Sequence, residues 1–202
     1  MPPGQMDEES GPEEAPSDRT TSQPPPAKPK SGSLFRSVAE FIGILAAAIL
    51  IAYLLQAFIV KPFQIPSESM EPTIDPGDRI LVNRLAYSYG SIERGDVIVF
   101  KAPTDPDVDF VKRVIALGGD TIEVKNGQVF INGVAQAEPY APSMDFSNFP
   151  AQTVPEGNLF VMGDNRGDSQ DSRFWNPPWL PVENVVGEAF LIYWPPSRIG
   201  GL

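Results

Sequence analysis

The chain has 202 residues, room for one medium domain with accessories, and a formal charge of −11 that argues against nucleic acid, whose phosphates need clustered Lys and Arg. It contains neither Cys nor His. That excludes disulfides, thiolate metal sites and a cysteine nucleophile, and also the Ser-His-Asp triad, the H-E-x-x-H zinc site and every His-ligated metal, so hydrolytic chemistry is left to Lys, carboxylates and hydroxyls.

Residues 1–33 carry eight prolines and a run of acidic residues from Asp7 to Asp18, with almost nothing apolar. Such a segment buries too little surface to offset its ordering entropy, which predicts a disordered tail. Phe41 to Val60 reads FIGILAAAILIAYLLQAFIV, with Gln56 its one clearly polar member. As a helix it is about 30 Å long, the thickness of a bilayer's hydrocarbon core. A buried core helix would show a polar face, and a cleaved signal peptide would have a shorter apolar stretch with an A-x-A site at its exit. The run therefore predicts a retained transmembrane anchor within 34–60. Lys28, Lys30 and Arg36 precede it, and only Lys61 follows closely before an acidic remainder. The positive-inside rule then puts the N-terminus in the cytoplasm and residues 62–202 outside.

Beyond the anchor the pattern is β. Short apolar runs at Arg79–Asn83, Asp96–Lys101, Phe110–Leu117, Thr121–Val124, Gln128–Ile131, Asn158–Met162 and Val185–Tyr193 are separated by turn signals such as Asp75-Pro76-Gly77-Asp78 and Arg94-Gly95-Asp96. Asn126-Gly127 predicts a two-residue hairpin, because a type I′ turn needs two positive φ angles. No helical period of useful length follows Val60, and there is no internal repeat. Residues 135–155, rich in Pro and small residues, read as a long surface loop or insertion.

With His absent, a serine nucleophile needs another base, and a neutral lysine can serve. A free lysine is deprotonated less than roughly 1% of the time near pH 8, so the lysine to look for is one denied solvent. Lys112, within the apolar strand FVKRVIAL, is that lysine; Lys61, Lys101 and Lys125 sit at a membrane exit, a strand end and a turn. Strand alternation puts Lys112 on a face with Phe110, Val114 and Ala116, and Arg113 on the other with Val111 and Ile115. An edge strand with two solvated cations would give the same segment. For the serine, Pro66-Ser67-Glu68-Ser69-Met70-Glu71-Pro72-Thr73 brackets two serines with prolines, although a plain linker has the same look. Gly163 to Arg173 (GDNRGDSQDSR) invites a calcium loop, but the ligand pattern is not met and two arginines oppose a cation; a solvated polar loop is the ordinary alternative.

Together these segments resemble the bacterial type I signal peptidases, membrane-anchored serine proteases with a Ser-Lys dyad. The resemblance spans roughly residues 36–198: the anchor, PSESMEPT followed by Gly77-Asp78, Arg94-Gly95-Asp96-Val97 leading into VKRVIALGGD, and GDNRGDSQDSRFW, in the family's order. The chain lacks the large accessory insertion of some members and is similar to the smaller single-anchor type. The resemblance implies a mostly β fold: a compact antiparallel catalytic β-domain over 61–202, tethered by one N-terminal transmembrane helix. It implies Ser69 as nucleophile and Lys112 as general base, with the Ser67 hydroxyl and Ser69 N–H as the oxyanion hole. Ser169 would hydrogen-bond and orient the lysine, Asp171 and Arg173 would form a supporting ion pair, and Met70 and Pro72 would shape the nucleophile turn. It further implies cleavage of exported preproteins after A-x-A sites, no metal or organic cofactor, and signal peptides, membrane lipid and the secretion machinery as partners at the plasma membrane. An extended substrate paired to a strand edge would point alternate side chains at two shallow pockets, for which Phe63, Ile65, Phe110 and Val111 are candidates. Arg166-Gly167-Asp168 falls where the family varies.

Two other classes fit parts of the sequence. A self-cleaving repressor shares the dyad but carries a DNA-binding domain in place of an anchor. A non-catalytic membrane-tethered β-domain fits the composition, yet has no reason to combine PSESM with a lysine inside an apolar strand.

Overall fold

The structure, a computed structural model, describes residues 32–103, 105–142 and 145–202. The expected tail, apart from its last two residues, lies outside the described residues. The chain divides into two units, residues 1–44 and 45–202. Helix α1 runs Gly32–Phe58, and within it Arg36–Leu54 is long and apolar enough to cross a membrane. Its apolar side chains from Val38 to Leu54 are exposed, so it is no core helix of the described chain. The helix stops two residues short of the expected Val60: Pro62 disfavours helical backbone at Lys61, and Val60 already belongs to strand β1 (Val60–Gln64). Pro62 is tolerated there because β1 is an edge strand, paired only with β2 (Arg79–Asn83).

After β2 come the one-turn helix α2 (Ala86–Tyr89), β3 (Val97–Ala102), β4 (Asp105–Leu117), β5 (Thr121–Lys125), β6 (Gln128–Ile131), β7 (Val134–Ala135), β8 (Phe149–Thr153), β9 (Asn158–Met162), β10 (Leu180–Pro181), β11 (Val185–Trp194) and β12 (Gly200–Gly201). Among the described residues they make two antiparallel sheets. One runs β1-β2-β11-β3-β4-β9-β10, with β12 added to β11; the other runs β7-β6-β5-β8. Asn126 and Gly127 hold φ of 47° and 81°, closing the β5–β6 hairpin as its Asn-Gly pair predicts.

Two expectations change. The 135–155 stretch is not all loop, since β8 pairs with β5 and places Phe149 opposite Val124. Its Pro150 hid it, yet β8 is an edge strand, where proline is tolerated. Strand β4 begins at Asp105, five residues early; it is central, with both Lys112 and Arg113 buried, so the alternative of an edge strand with two solvated cations falls. A register shift between Val114 and Ala116 interrupts strict alternation, so Ile115 and Ala116 enter the same apolar cluster, where β4 and β9 meet the second sheet.

Candidate active site

The serine-bearing segment is an excursion between β1 and β2 whose neck is pinned shut. Ile65 N–H donates to the Asp78 carbonyl at 2.9 Å, and Gly77 N–H to the Ile65 carbonyl at 2.8 Å. Inside it, Glu71 N–H bonds the Glu68 carbonyl and Ile74 N–H the Met70 carbonyl, at 3.0 and 2.9 Å. Met70 and Ile74 are buried in the cluster of Ile80, Val82, Val97 and Val99, so the turn is anchored from beneath while Ser67 and Ser69 face outward into a cleft. Arg198, near the chain's end, clasps the neck through Asp78 and Asp75 at 2.9 and 2.7 Å.

Opposite lies β4. Lys112 is 4% exposed, and its Nζ donates to Ser69 Oγ at 2.7 Å and to the Val111 carbonyl at 3.1 Å. Burial pushes its ammonium from 10.5 down to about 8; the Asp171 and Asp164 carboxylates pull it back up and Arg173 opposes them. Near pH 8 about half of Lys112 is therefore neutral, and the hydrogen bond can then run from the Ser69 hydroxyl to the free amine. The Ser67 hydroxyl stands 3.4 Å from Ser69 Oγ. The cleft over this trio has a volume of about 540 Å³, with Ile65, Phe110 and Val111 in its walls.

The loop from Gly163 to Arg173 completes the site. Asn165 donates to the nucleophile turn twice, from its N–H to the Ser69 carbonyl at 3.2 Å and from Nδ2 to the Glu68 carbonyl at 3.1 Å. Asp164 accepts a two-pronged hydrogen bond from Arg113, at 2.9 and 2.6 Å, and another from Thr73 Oγ1 at 2.5 Å. Thus the residue beside the lysine on β4 holds the serine turn through one carboxylate. The Asp171–Arg173 pair is formed, at 2.8 Å, and Asp171 also accepts from Gly163 N–H at 3.0 Å. Gly163 has no room for a side chain: a Cβ there would collide with the Ser69 carbonyl and the Ser169 hydroxyl.

Two expected placements are corrected. Ser169 lines the cleft and is 6% exposed, but its hydroxyl has no hydrogen-bond partner among the described residues; Lys112 is held by Ser69 and the Val111 carbonyl instead. Phe63 stays outside the cleft, because it lies in register with Ile80 and packs on the apolar cluster beneath β2. The reading of Gly163–Arg173 as a solvated polar loop also fails. Arg166 is buried and meets Glu138 with two bonds of 2.7 Å, and Arg173 reaches Asp145 as well as Asp171. Sequence reasoning missed Gly163, Asp164, Asn165, Thr73, Arg113 and Arg198 as site-builders. The one available signal was an arginine inside an apolar strand, which needs a buried carboxylate.

A serine hydroxyl on a rigid turn, facing a desolvated lysine across a cleft on antiparallel sheet, is equipped for acyl transfer of the serine-hydrolase kind without histidine. The chain belongs to the signal peptidase family, peptidase S26, whose pattern matches residues 38–194. It is 41% identical over 177 residues to the "Probable signal peptidase I-1" of Synechocystis sp., covering 84% of this chain and 89% of that protein. It is 36% identical over 196 residues to the "Signal peptidase I" of Leptolyngbya laminosa, covering 92% and 95%. A solved signal peptidase I from Enterococcus faecalis V583 overlaps 49% of this chain and 97% of its own, with 31% identity and a TM-score of 0.44.

Proposed function

We propose that this protein is a membrane-anchored serine endopeptidase that removes signal peptides from exported preproteins, with Ser69 as nucleophile and Lys112 as general base. The observation that carries the reading is the 2.7 Å contact between a lysine shielded from water and a serine at the cleft floor. Neutral Lys112 takes the Ser69 proton as Oγ bonds to the scissile carbonyl carbon. The resulting oxyanion is received by Ser69 N–H and the Ser67 hydroxyl, each such donor contributing roughly 3–4 kcal/mol in comparable sites. Collapse breaks the C–N bond, protonated Lys112 returns the proton to the leaving amine, and neutral Lys112 then activates the water that frees the acyl group from Ser69.

Ile65, Phe110 and Val111 are the walls that favour small side chains, read at alternate positions of an extended substrate. Asp171 and Arg173 act through their hold on Gly163, which sets the Ser69 carbonyl. Helix α1 is the membrane anchor, with its N-terminus in the cytoplasm and the sheets on the exported side. The test is cleavage of an A-x-A preprotein by the purified full chain. Ser69→Ala and Lys112→Arg are each expected to abolish it, the latter because a guanidinium does not deprotonate near neutral pH. Ser67→Ala is expected to lower kcat by about 10²–10³ with little change in KM. Cleavage that survives Lys112→Arg would refute the general-base role.

A further inference from the structure

Two carboxylates that the mechanism does not use stand in the cleft. Glu68 directly precedes Ser69, Asp168 directly precedes Ser169, and both are exposed and line the cleft. Neither has an ion-pair partner among the described residues. The third acidic residue in the lining, Asp109, differs: Lys101 and Lys61 neutralise it from 2.8 and 3.8 Å. Lys112, the one cation in the lining among the described residues, is buried behind Ser69. Asn165 fixes both acidic residues relative to the nucleophile, since its side chain donates to the Glu68 carbonyl and its own carbonyl accepts from Asp168 N–H at 3.1 Å. Next to Asp168, the Ser169 hydroxyl is buried and has no hydrogen-bond partner among the described residues.

We propose that Glu68 and Asp168 are specificity-determining residues that set the charge tolerated beside the scissile bond, favouring a basic or neutral substrate side chain over an acidic one. The inference rests on the endopeptidase reading above. A cleft with low-dielectric walls focuses the field of the charges it contains. Each carboxylate both attracts a cation and repels an anion, every exposed pairing changing affinity by about twofold to fivefold. With the attraction and repulsion at each carboxylate together worth about threefold, the low end of that range, the Lys-to-Glu discrimination over two carboxylates comes to roughly tenfold, felt in KM, because the charge is read on binding and is unchanged at the transition state.

The experiment uses the full chain in detergent and A-x-A peptides that carry Lys, Gln or Glu at one position at a time: between the two alanines, or at the first or second residue following the cut. The expected result is a Lys-to-Glu ratio in kcat/KM of roughly tenfold at one of these positions, arising from KM. It should shrink to within about twofold in the Glu68→Gln/Asp168→Asn double variant, and likewise in about 1 M salt, where the Debye length is about 3 Å. A ratio within about twofold at all three positions in the unaltered protein, or one that persists undiminished in the double variant, overturns the proposal. Failure of the unaltered protein to cleave even the Gln peptides overturns the endopeptidase reading instead.

Discussion

Lys112 is costly to keep. Its value near 8, set by burial against the pull of Asp171 and Asp164, lies below the 10.5 it has when solvated. The unfolded chain therefore binds the extra proton more tightly, and stability climbs with pH between about 8 and 10.5. Below that window both states are protonated and the folded state bears the whole penalty, on the order of 3 kcal/mol. Lys112→Met is accordingly expected to be inactive yet more stable than the parent by about 1–3 kcal/mol near pH 6.5, the advantage fading by about pH 10.5; urea unfolding at the two pH values measures it. The same titration governs activity: kcat/KM should rise with pH through a midpoint near 8 on a chemistry-limited substrate. A midpoint near 10 would mean that water reaches the amine. Gly163 is the second sensitive residue. Alanine there forces the Ser69 carbonyl or the Ser169 side chain aside, so Gly163→Ala should cost about 1–3 kcal/mol of stability, with a further loss in kcat as the nucleophile turn shifts.

Three buried arginines bind the elements around the site: Arg113 on β4, and Arg166 and Arg173 on the loop after β9. Glu138 and Asp145 reach two of them from the segment between β7 and β8, and the Tyr140 ring lies 4.2 Å from the Arg113 guanidinium. Glu138→Ala would strand Arg166 as a buried, uncompensated charge, at an expected cost of about 3–5 kcal/mol; Glu138→Leu with Arg166→Met should recover most of it, which urea titration of the single and double variants tests. These ties also mark where sequence reasoning ran out. Lys112 was legible because a lysine amid FV and VIAL contradicts its surroundings, and the β5–β6 turn because Asn-Gly answers one backbone demand. Glu138 and Arg166 sit 28 positions apart, each in a polar stretch that reads as solvent-facing, and no periodicity joins them. Strand β8 hid for a different reason: an edge strand tolerates the very proline that argues against a strand.

Over the whole molecule, β1 fixes where the sheet-forming part begins. A chain starting at Ile59 keeps Val60 opposite Asn83, so it should unfold in one cooperative step and still cleave A-x-A peptides in detergent. One starting at Ile65 loses the edge strand and uncovers the cluster of Ile80 and Val82, and should be less stable by at least about 2 kcal/mol; thermal unfolding of the two truncations distinguishes them. The sheet order has a consequence for timing. Ser69 hangs from the β1–β2 pair and Lys112 lies on the β3–β4 pair, yet β2 and β3 do not pair with each other: β11 lies between them. A nascent chain that has emerged only as far as Asn184 holds both residues of the dyad and side-chain ties such as Arg113–Asp164–Thr73, but lacks the strand that hydrogen-bonds the two halves into one sheet. The strand that closes the sheet is thus made after both dyad residues, and Arg198, which clasps the serine turn, follows it. A chain assembled in that order completes its sheet only after both dyad residues are made, and cleavage is expected only from chains that extend past β11.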